Sequence, residues 1–196
     1  MTRLLVLLLV AACSPAVPTA PRPAAPPPSS EAPRLDARAL ARQIHDAAND
    51  ARRRAGRAPL PWADRLARPA VAHSRDMARR GFFDHVNPDG ESANDRAERL
   101  GVSCRVTLGA GRSRVGVLEN LYQTWRYTAW RETRRGDRTS RVYDWQSADQ
   151  ITAAVVRGWL GSPGHRRNLL DGDARTQAVG VAVADDDAVY VTQILC

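Results

Sequence analysis

The sequence contains no lysine. All 29 basic residues are arginine, against 21 Asp and Glu, for a formal net charge of +8 over 196 residues. A whole residue type missing reads as compositional bias, so the basic balance by itself points to no nucleic-acid partner. Cysteine is scarce: three residues exclude a disulfide-dense scaffold. Beyond the N-terminus no apolar run reaches the ~18 residues of a spanning helix. No segment recurs at a period of ~20–50 residues, which excludes a solenoid. Several catalytic signatures are missing too. There is no His-Glu-x-x-His zinc helix, no phosphate-binding loop and no Cys-x-x-Cys. Ser162 stands between Gly161 and Gly164, but Leu160 holds a place that a Gly-x-Ser-x-Gly elbow gives to glycine. Asp171-Gly172-Asp173 and the run Asp185, Asp186, Asp187 lack calcium-loop spacing and read as turns. What is present is 43% hydrophobic and 26% charged, the balance of a globular domain.

The first residues read as an address. A start carrying Arg3 precedes the apolar run LLVLLLV at 4–10 and the small residues Ala11 and Ala12. This is the pattern of a secretory signal. The ending Val10-Ala11-Ala12-Cys13 resembles a bacterial lipoprotein signal, with Val10 where leucine is commonest. The resemblance implies a signal peptide over 1–12, lipidation of Cys13 and, with Ser14 following, export to the outer membrane if the cell has two membranes. Residues 13–34 are dominated by Pro and Ala and read as an extended, semi-rigid linker. With Cys13 acylated, Cys104 and Cys196 remain, and in an oxidising compartment such a pair is expected to bond.

The folded region is expected over 35–196. Leu40, Ile44, Ala48 and Ala51 recur at helical spacing up to Gly56. A second helix is expected over 63–80, with Leu66, Ala70, His73 and Met77 on one face and Pro69 kinking it or marking its first turn. His73 on that face reads as a packed core histidine. Asn87-Pro88-Asp89-Gly90 is a turn, and a short helix follows over 92–100. Residues 105–121 fit strand–turn–strand about Gly109-Ala110-Gly111. Residues 123–146 have no clean period and read as a long hairpin or arm. Ser147 and Gln150 form a capping box ahead of a helix marked by Ile151, Val155 and Trp159, and one further turn is expected over 165–170. Val179, Val181 and Val183 alternate, as do Val189 and Val191 after the aspartate turn. Helices first and strands last predict an α+β layered domain.

Three polar residues lie just outside these elements: His85, Glu119 and His165. Two imidazoles and a carboxylate can hold zinc with an open position or act as an acid–base set. The chain becomes recognisable at these places. Asn49, Arg52, Trp62, His73-Ser74, Phe83-Asp84-His85, Glu119-Asn120-Leu121, the block from Trp159 through Ser162-Pro163-Gly164-His165 to Leu170, and Tyr190-Val191-Thr192-Gln193 occur in order. Together they resemble the bacterial branch of the CAP superfamily (cysteine-rich secretory protein, antigen 5, pathogenesis-related 1), also called the SCP domain. The resemblance implies a three-layer α-β-α sandwich with a small antiparallel central sheet and an open cavity. It implies that His85 and Glu119 stand at two of the family's four metal-lining places. The other two fall near Ser162 and Tyr190, and His165 is a substitute imidazole. The set His85, Glu119 and His165 therefore predicts weak zinc at most. Were the chain a hydrolase, His85 would be the base, Glu119 its orienter, and Ser162 or a metal-bound water the nucleophile.

The segment 123–146 departs from short bacterial relatives. It interleaves six arginines with aromatics, and Trp125, Arg126, Tyr127, Trp130, Arg131 and Arg135 are the residues expected to contact a ligand. Arginine pairs bidentately with phosphate and carboxylate and stacks on aromatic faces. The expected function is an envelope-anchored binding module for a lipid, glycan or peptide. The alternatives are a hydrolase of envelope peptides or glycans, and an interaction protein with a vestigial cavity. The expected partners are the membrane, through the lipid anchor, and an anionic envelope glycan, lipid or protein. The export signal leaves no place for nucleic acid.

Overall fold

The computed structural model describes residues 30–196. The signal peptide 1–12, the lipidation site Cys13 and the linker up to residue 29 lie outside the described residues. Helix α1 (Ala37–Arg54) starts where the Asp36 carboxylate accepts the backbone N–H groups of Arg38 and Ala39 at 2.8 and 3.0 Å. Leu40, Ile44 and Ala48 form its buried stripe. Arg52 continues that stripe and is only 1% exposed. Its guanidinium donates to the carbonyls of Ala58, Leu169 and Asp171 at 2.8, 2.8 and 2.9 Å, which satisfies the buried charge and ties the helix end to a distant loop.

Helix α2 (Asp64–Arg80) begins before Pro69 and continues past it to a left-handed Gly81. Pro69 neither starts nor ends the helix. Its missing N–H costs about 3 kcal/mol, and the burial of Leu66, Ala70, His73 and Met77 along the same face outweighs that cost. Helix α3 (Ala93–Arg99) carries a reciprocal capping box between Ser92 and Asp95. Strands β1 (Arg105–Gly109) and β2 (Arg112–Val115) form the expected hairpin around Gly109-Ala110-Gly111. The second expected strand does not run on to 121. Instead β3 (Leu118–Trp125) leaves the hairpin and joins the central sheet. Residues 123–125 therefore belong to the sheet, and the arm is the hairpin of β4 (Tyr127–Arg135) and β5 (Arg138–Trp145).

Helix α4 (Ala148–Gly161) opens on the Ser147–Gln150 capping box, and α5 (Pro163–Leu169) follows with Pro163 in its first turn. Strands β6 (Gln177–Val183) and β7 (Ala188–Leu195) complete an antiparallel sheet of order β3-β7-β6. On one face, Ile44, Ile151, Val155 and Trp159 of α1 and α4 pack on Val179, Val181, Val189 and Val191. On the other, Leu66 and Ala70 of α2 and Ala97 of α3 pack on Ala178 and Ile194, and Met77 meets Leu121 and Tyr190. The period-2 alternation of β6 and β7 thus feeds two separate cores, giving the expected α-β-α sandwich. None of the helices among the described residues is long and apolar enough to cross a membrane.

Two covalent facts set the closeness of the layers. At Gly180 a Cβ would lie 2.2 Å from the Ala70 carbonyl carbon and 2.3 Å from the Val71 nitrogen, so α2 rests directly on the backbone of β6. Cys104 and Cys196 form a disulfide with Cα atoms 5.6 Å apart, linking the entry to β1 with the C-terminal end of the sheet across 92 residues. Gly180→Ala is expected to destabilise the domain by about 1–3 kcal/mol in urea unfolding, since backbone cannot move aside as a side chain can. Replacing both cysteines by serine removes a cross-link whose loop-closure entropy is worth about 4–5 kcal/mol. The double variant is expected to melt well below the parent, and a reducing agent should lower the parent to the same melting temperature.

Candidate functional site

The site forms at the open edge of the sheet, where β3 has a partner on one side only. His85 is presented by the loop after α2. Asp84 accepts the Val86 N–H at 3.0 Å, and the Asn87 side chain accepts the N–H groups of Asp89 and Glu91 at 3.1 and 2.8 Å, so short polar side chains fold the loop locally. Arg96 of α3 then clamps it, donating from one nitrogen to the carbonyls of His85 and Glu91, each at 2.8 Å. Its other terminal nitrogen donates to Glu119 Oε2 at 2.7 Å. The remaining carboxylate oxygen, Oε1, accepts from His85 Nδ1 at 2.8 Å. The side chains of Arg96 and Glu119 are almost wholly buried, whereas that of His85 is about half exposed.

His165, in the first turn of α5, arrives from the opposite face. Its ring centroid is 6.2 Å from that of His85. Its carbonyl accepts from the Asn120 side chain at 3.1 Å, and Asn168 of the same helix donates to the Glu119 carbonyl at 3.0 Å and to Asn120 Oδ1 at 3.1 Å. Helix α5 thereby covers the free edge of β3. Phe83 and Val86, both nearly half exposed, flank the histidine with apolar surface. The hydrogen bond to Glu119 raises the pKa of His85 above its ordinary value, against the opposing pull of burial. Burial lowers that of His165, and the neighbouring His85 adds to the shift. The two imidazoles are thus pushed in opposite directions.

The donor chemistry does not fit the metal set His85, Glu119 and His165. Both carboxylate oxygens of Glu119 are engaged, one by a buried guanidinium that neutralises its charge. Glu119 is placed as a positioning residue that fixes the His85 tautomer, not as a third ligand. Among the described residues no three His, Cys, Asp or Glu side chains are grouped so as to hold a metal ion. Ser162 caps the junction of α4 and α5, and its side chain makes no capping hydrogen bond and none to either imidazole. Tyr190, at the family's other histidine place, is buried beside Phe83. His73 is a core residue: fully buried, with Nε2 3.0 Å from the Asp84 carbonyl and its pKa lowered by burial.

The arm residues divide. Arg126 pairs with Asp187 at 3.2 Å, donates to the Pro33 carbonyl and lies over the Trp145 ring, so it anchors the base of the arm. Tyr127 packs with Tyr143 and Trp145. Trp125 closes β3, and Trp130 carries Arg141 at 5.0 Å over its ring; both tryptophans are nearly half exposed. Arg131 pairs with Asp144 at 3.0 Å, while Arg135 projects at the tip. The residue missed by sequence reasoning is Arg96. Its one signal is that it shares a helical face with Ala93, Ala97 and Leu100, a place where a solvated arginine would not sit.

Residues 45–195 match the description "Cysteine-rich secretory protein family", abbreviated CAP. Over 152 residues the chain is 31% identical to the uncharacterized membrane protein YlbC of Bacillus subtilis, a stretch covering 78% of this chain and 33% of that protein. It is 23% identical over 157 residues to the uncharacterized protein YkwD of the same organism, covering 80% and 47%. The chain thus spans about a third to a half of the length of these curated relatives. An extracellular protein containing a SCP domain from Bacillus anthracis superposes with a TM-score of 0.53 at 26% identity, over 81% of this chain and 40% of that one. An outer surface protein of Borrelia burgdorferi shares the fold with a TM-score of 0.58 at 15% identity, over 82% and 94%. The family match runs from the middle of α1 to the last residue of β7 and takes in His85, Glu119 and His165, and on it the chain belongs to the CAP family of cysteine-rich secretory proteins.

Proposed function

We propose that this chain is an exported, envelope-anchored binding module for an anionic ligand, held by the arm and by the His85 cleft. The observation that carries the reading is at the tip of the arm. Arg135 stands directly opposite Arg138 in the β4–β5 register, with Arg134 beside them. Like charges facing across a two-stranded ladder are destabilising. Neither Arg135 nor Arg138 has an ion-pair partner among the described residues. A two-stranded hairpin standing in water is itself marginal. A bound carboxylate or phosphate would relieve the repulsion and stiffen the arm.

The cleft fits the same chemistry. His85 spends Nδ1–H on Glu119 and is biased toward its charged form, which leaves Nε2–H as a donor toward a ligand oxygen. The signal-like N-terminus and Cys13 support export and anchoring. One observation favours the hydrolytic reading: paired groups whose pKa values are pushed apart suit acid–base work. Against it, Glu119 is neutralised by Arg96 and Ser162 is bonded to neither histidine.

Two measurements test this. Vesicles containing about a third phosphatidylglycerol are expected to sediment the unacylated chain (Cys13→Ser), with binding weakened about tenfold by Arg135→Ala plus Arg138→Ala and by added salt. Loss on His85→Ala alone would move the ligand to the cleft. Insensitivity to both variants would sink the binding reading in favour of a vestigial cavity. Separately, a histidine Cε1–H NMR titration is expected to place His85 above 6.5 and His165 below it, with His165 rising in His85→Ala. Because the folded pKa of His85 is raised, its pairing with Glu119 stabilises the fold fully below about 6.5 and fades as pH climbs through the raised value. Stoichiometric zinc is expected to move neither resonance; a shift of both would restore a metal role.

A further inference from the structure

A second surface lies across the molecule from the histidines, at the other edge of the sheet. Between α1 and α2, over β6, runs an open groove of about 980 Å³. Its floor is apolar and low: the partly buried Trp62, Ala67 and Val71, above the buried Ala41, Val179 and Val181. Its rims are cationic, with Arg38 and Arg42 on α1 and Arg65, Arg68 and Arg75 on α2. Asp64 is the one acidic residue of the lining. Arg42 stacks over Trp62 at 3.7 Å and reaches Asp64 at 3.5 Å, and Arg65 donates to the Ser103 carbonyl at 3.1 Å. Arg68 and Arg75 are exposed and have no hydrogen-bond or ion-pair partner among the described residues.

We propose that this groove docks an acidic amphipathic helix of a partner protein. The distribution of charge decides between occupants. From Arg65 to Arg75 the cations extend along about 15 Å of helix axis, at a rise of 1.5 Å per residue, and both rims carry them. A single-headed amphiphile needs cations at one end of a groove and none along its tail. A polyanionic sugar would match the rims but leave Trp62, Ala67 and Val71 on the floor without an apolar partner. A helix with an apolar stripe flanked on both sides by Asp or Glu satisfies floor and rims together. Small side chains at Ala67 and Ala72 let such a helix approach closely, and charges on the rims set its orientation and on-rate.

The test is calorimetry on the full chain with a synthetic helical peptide of about 14 residues, bearing a leucine stripe between two rows of glutamate. Saturable binding with a micromolar Kd at low salt is expected. Arg68→Glu with Arg75→Glu should weaken it about tenfold or more, while these exposed changes leave the melting temperature unaltered. Ala72→Glu, at the exposed lip, should weaken it as well. His85→Ala and the paired arm variants should leave it unchanged, so failure here and failure of the anion-binding reading are told apart. Absence of saturable binding overturns the proposal. Equal binding of a peptide with serine in place of leucine also overturns it, since that would mark a polyanion site. Displacement of the peptide by dodecyl phosphate with the same variant sensitivity would overturn it in favour of an amphiphile.

Discussion

The pairing of Glu119 with Arg96 governs the functional edge of this domain. Both side chains are almost wholly removed from water, so neither charge could stay without the other. The geometry is the one that makes a buried pair tolerable. One guanidinium nitrogen serves the carboxylate, the other serves two loop carbonyls, and the second carboxylate oxygen takes the His85 N–H. A single interaction therefore joins α3, β3 and the loop after α2. Removing either partner would strand a buried charge, a loss of about 3–5 kcal/mol, and would release His85 at the same time. Stability and site geometry are coupled at this point.

Behind the pair, a file of buried amides crosses the sheet. Asn168 donates to Asn120, Asn120 to Gln193, Gln193 to Gln177, and Gln177 to Asn49, which exchanges two hydrogen bonds with Leu60. The chain visits α5, all three strands of the central sheet, α1 and the loop after it. In a low-dielectric interior each amide is costly unless its neighbour keeps its place, so the file holds together or fails together. It fixes strand register where aliphatic packing alone would tolerate a slip. It also fixes where His165 stands, because Asn120 grips that residue's carbonyl.

Much of this fold is legible in the sequence, for identifiable reasons. The capping box at Ser147, the short helix after the Asn87-Pro88-Asp89-Gly90 turn, the turn at Gly109-Ala110-Gly111 and the valine alternation of β6 and β7 are local signals, and the structure places each element there. The ends of β3 are not legible. Glu119, Asn120 and Leu121 are all buried because both faces of the strand are covered, which erases the alternation that marks a half-exposed strand. The helix through Pro69 defeats a rule about backbone donors because burial of a whole face is worth more than one hydrogen bond. At the site, His85 and Glu119 are visible as residues, but the role of Glu119 is not. Its meaning depends on Arg96, and in a chain whose 29 basic residues are all arginine one more arginine carries no signal except its position on an apolar face.

The same arginine bias shapes what the surface can do. Many acids are committed within the fold: Asp36 and Asp95 cap helices, Asp171 holds Arg114, Glu91 holds Arg99, and Asp144 and Glu132 hold arginines along the arm. Among the arginines left without such partners are Arg134, Arg135 and Arg138 at the arm tip and Arg68 and Arg75 along the α1–α2 groove. Arginine stays protonated across the whole physiological range, so these cations keep their charge. The His85–His165 cleft, at the opposite sheet edge from the groove, holds two imidazoles whose pKa values are pushed apart. On the proposed reading, the arm and the groove would attract anions through fixed charges and the cleft through an adjustable one. Acidification would then strengthen the cleft as a donor site, because protonation gives His85 a second N–H beside the one that Glu119 holds.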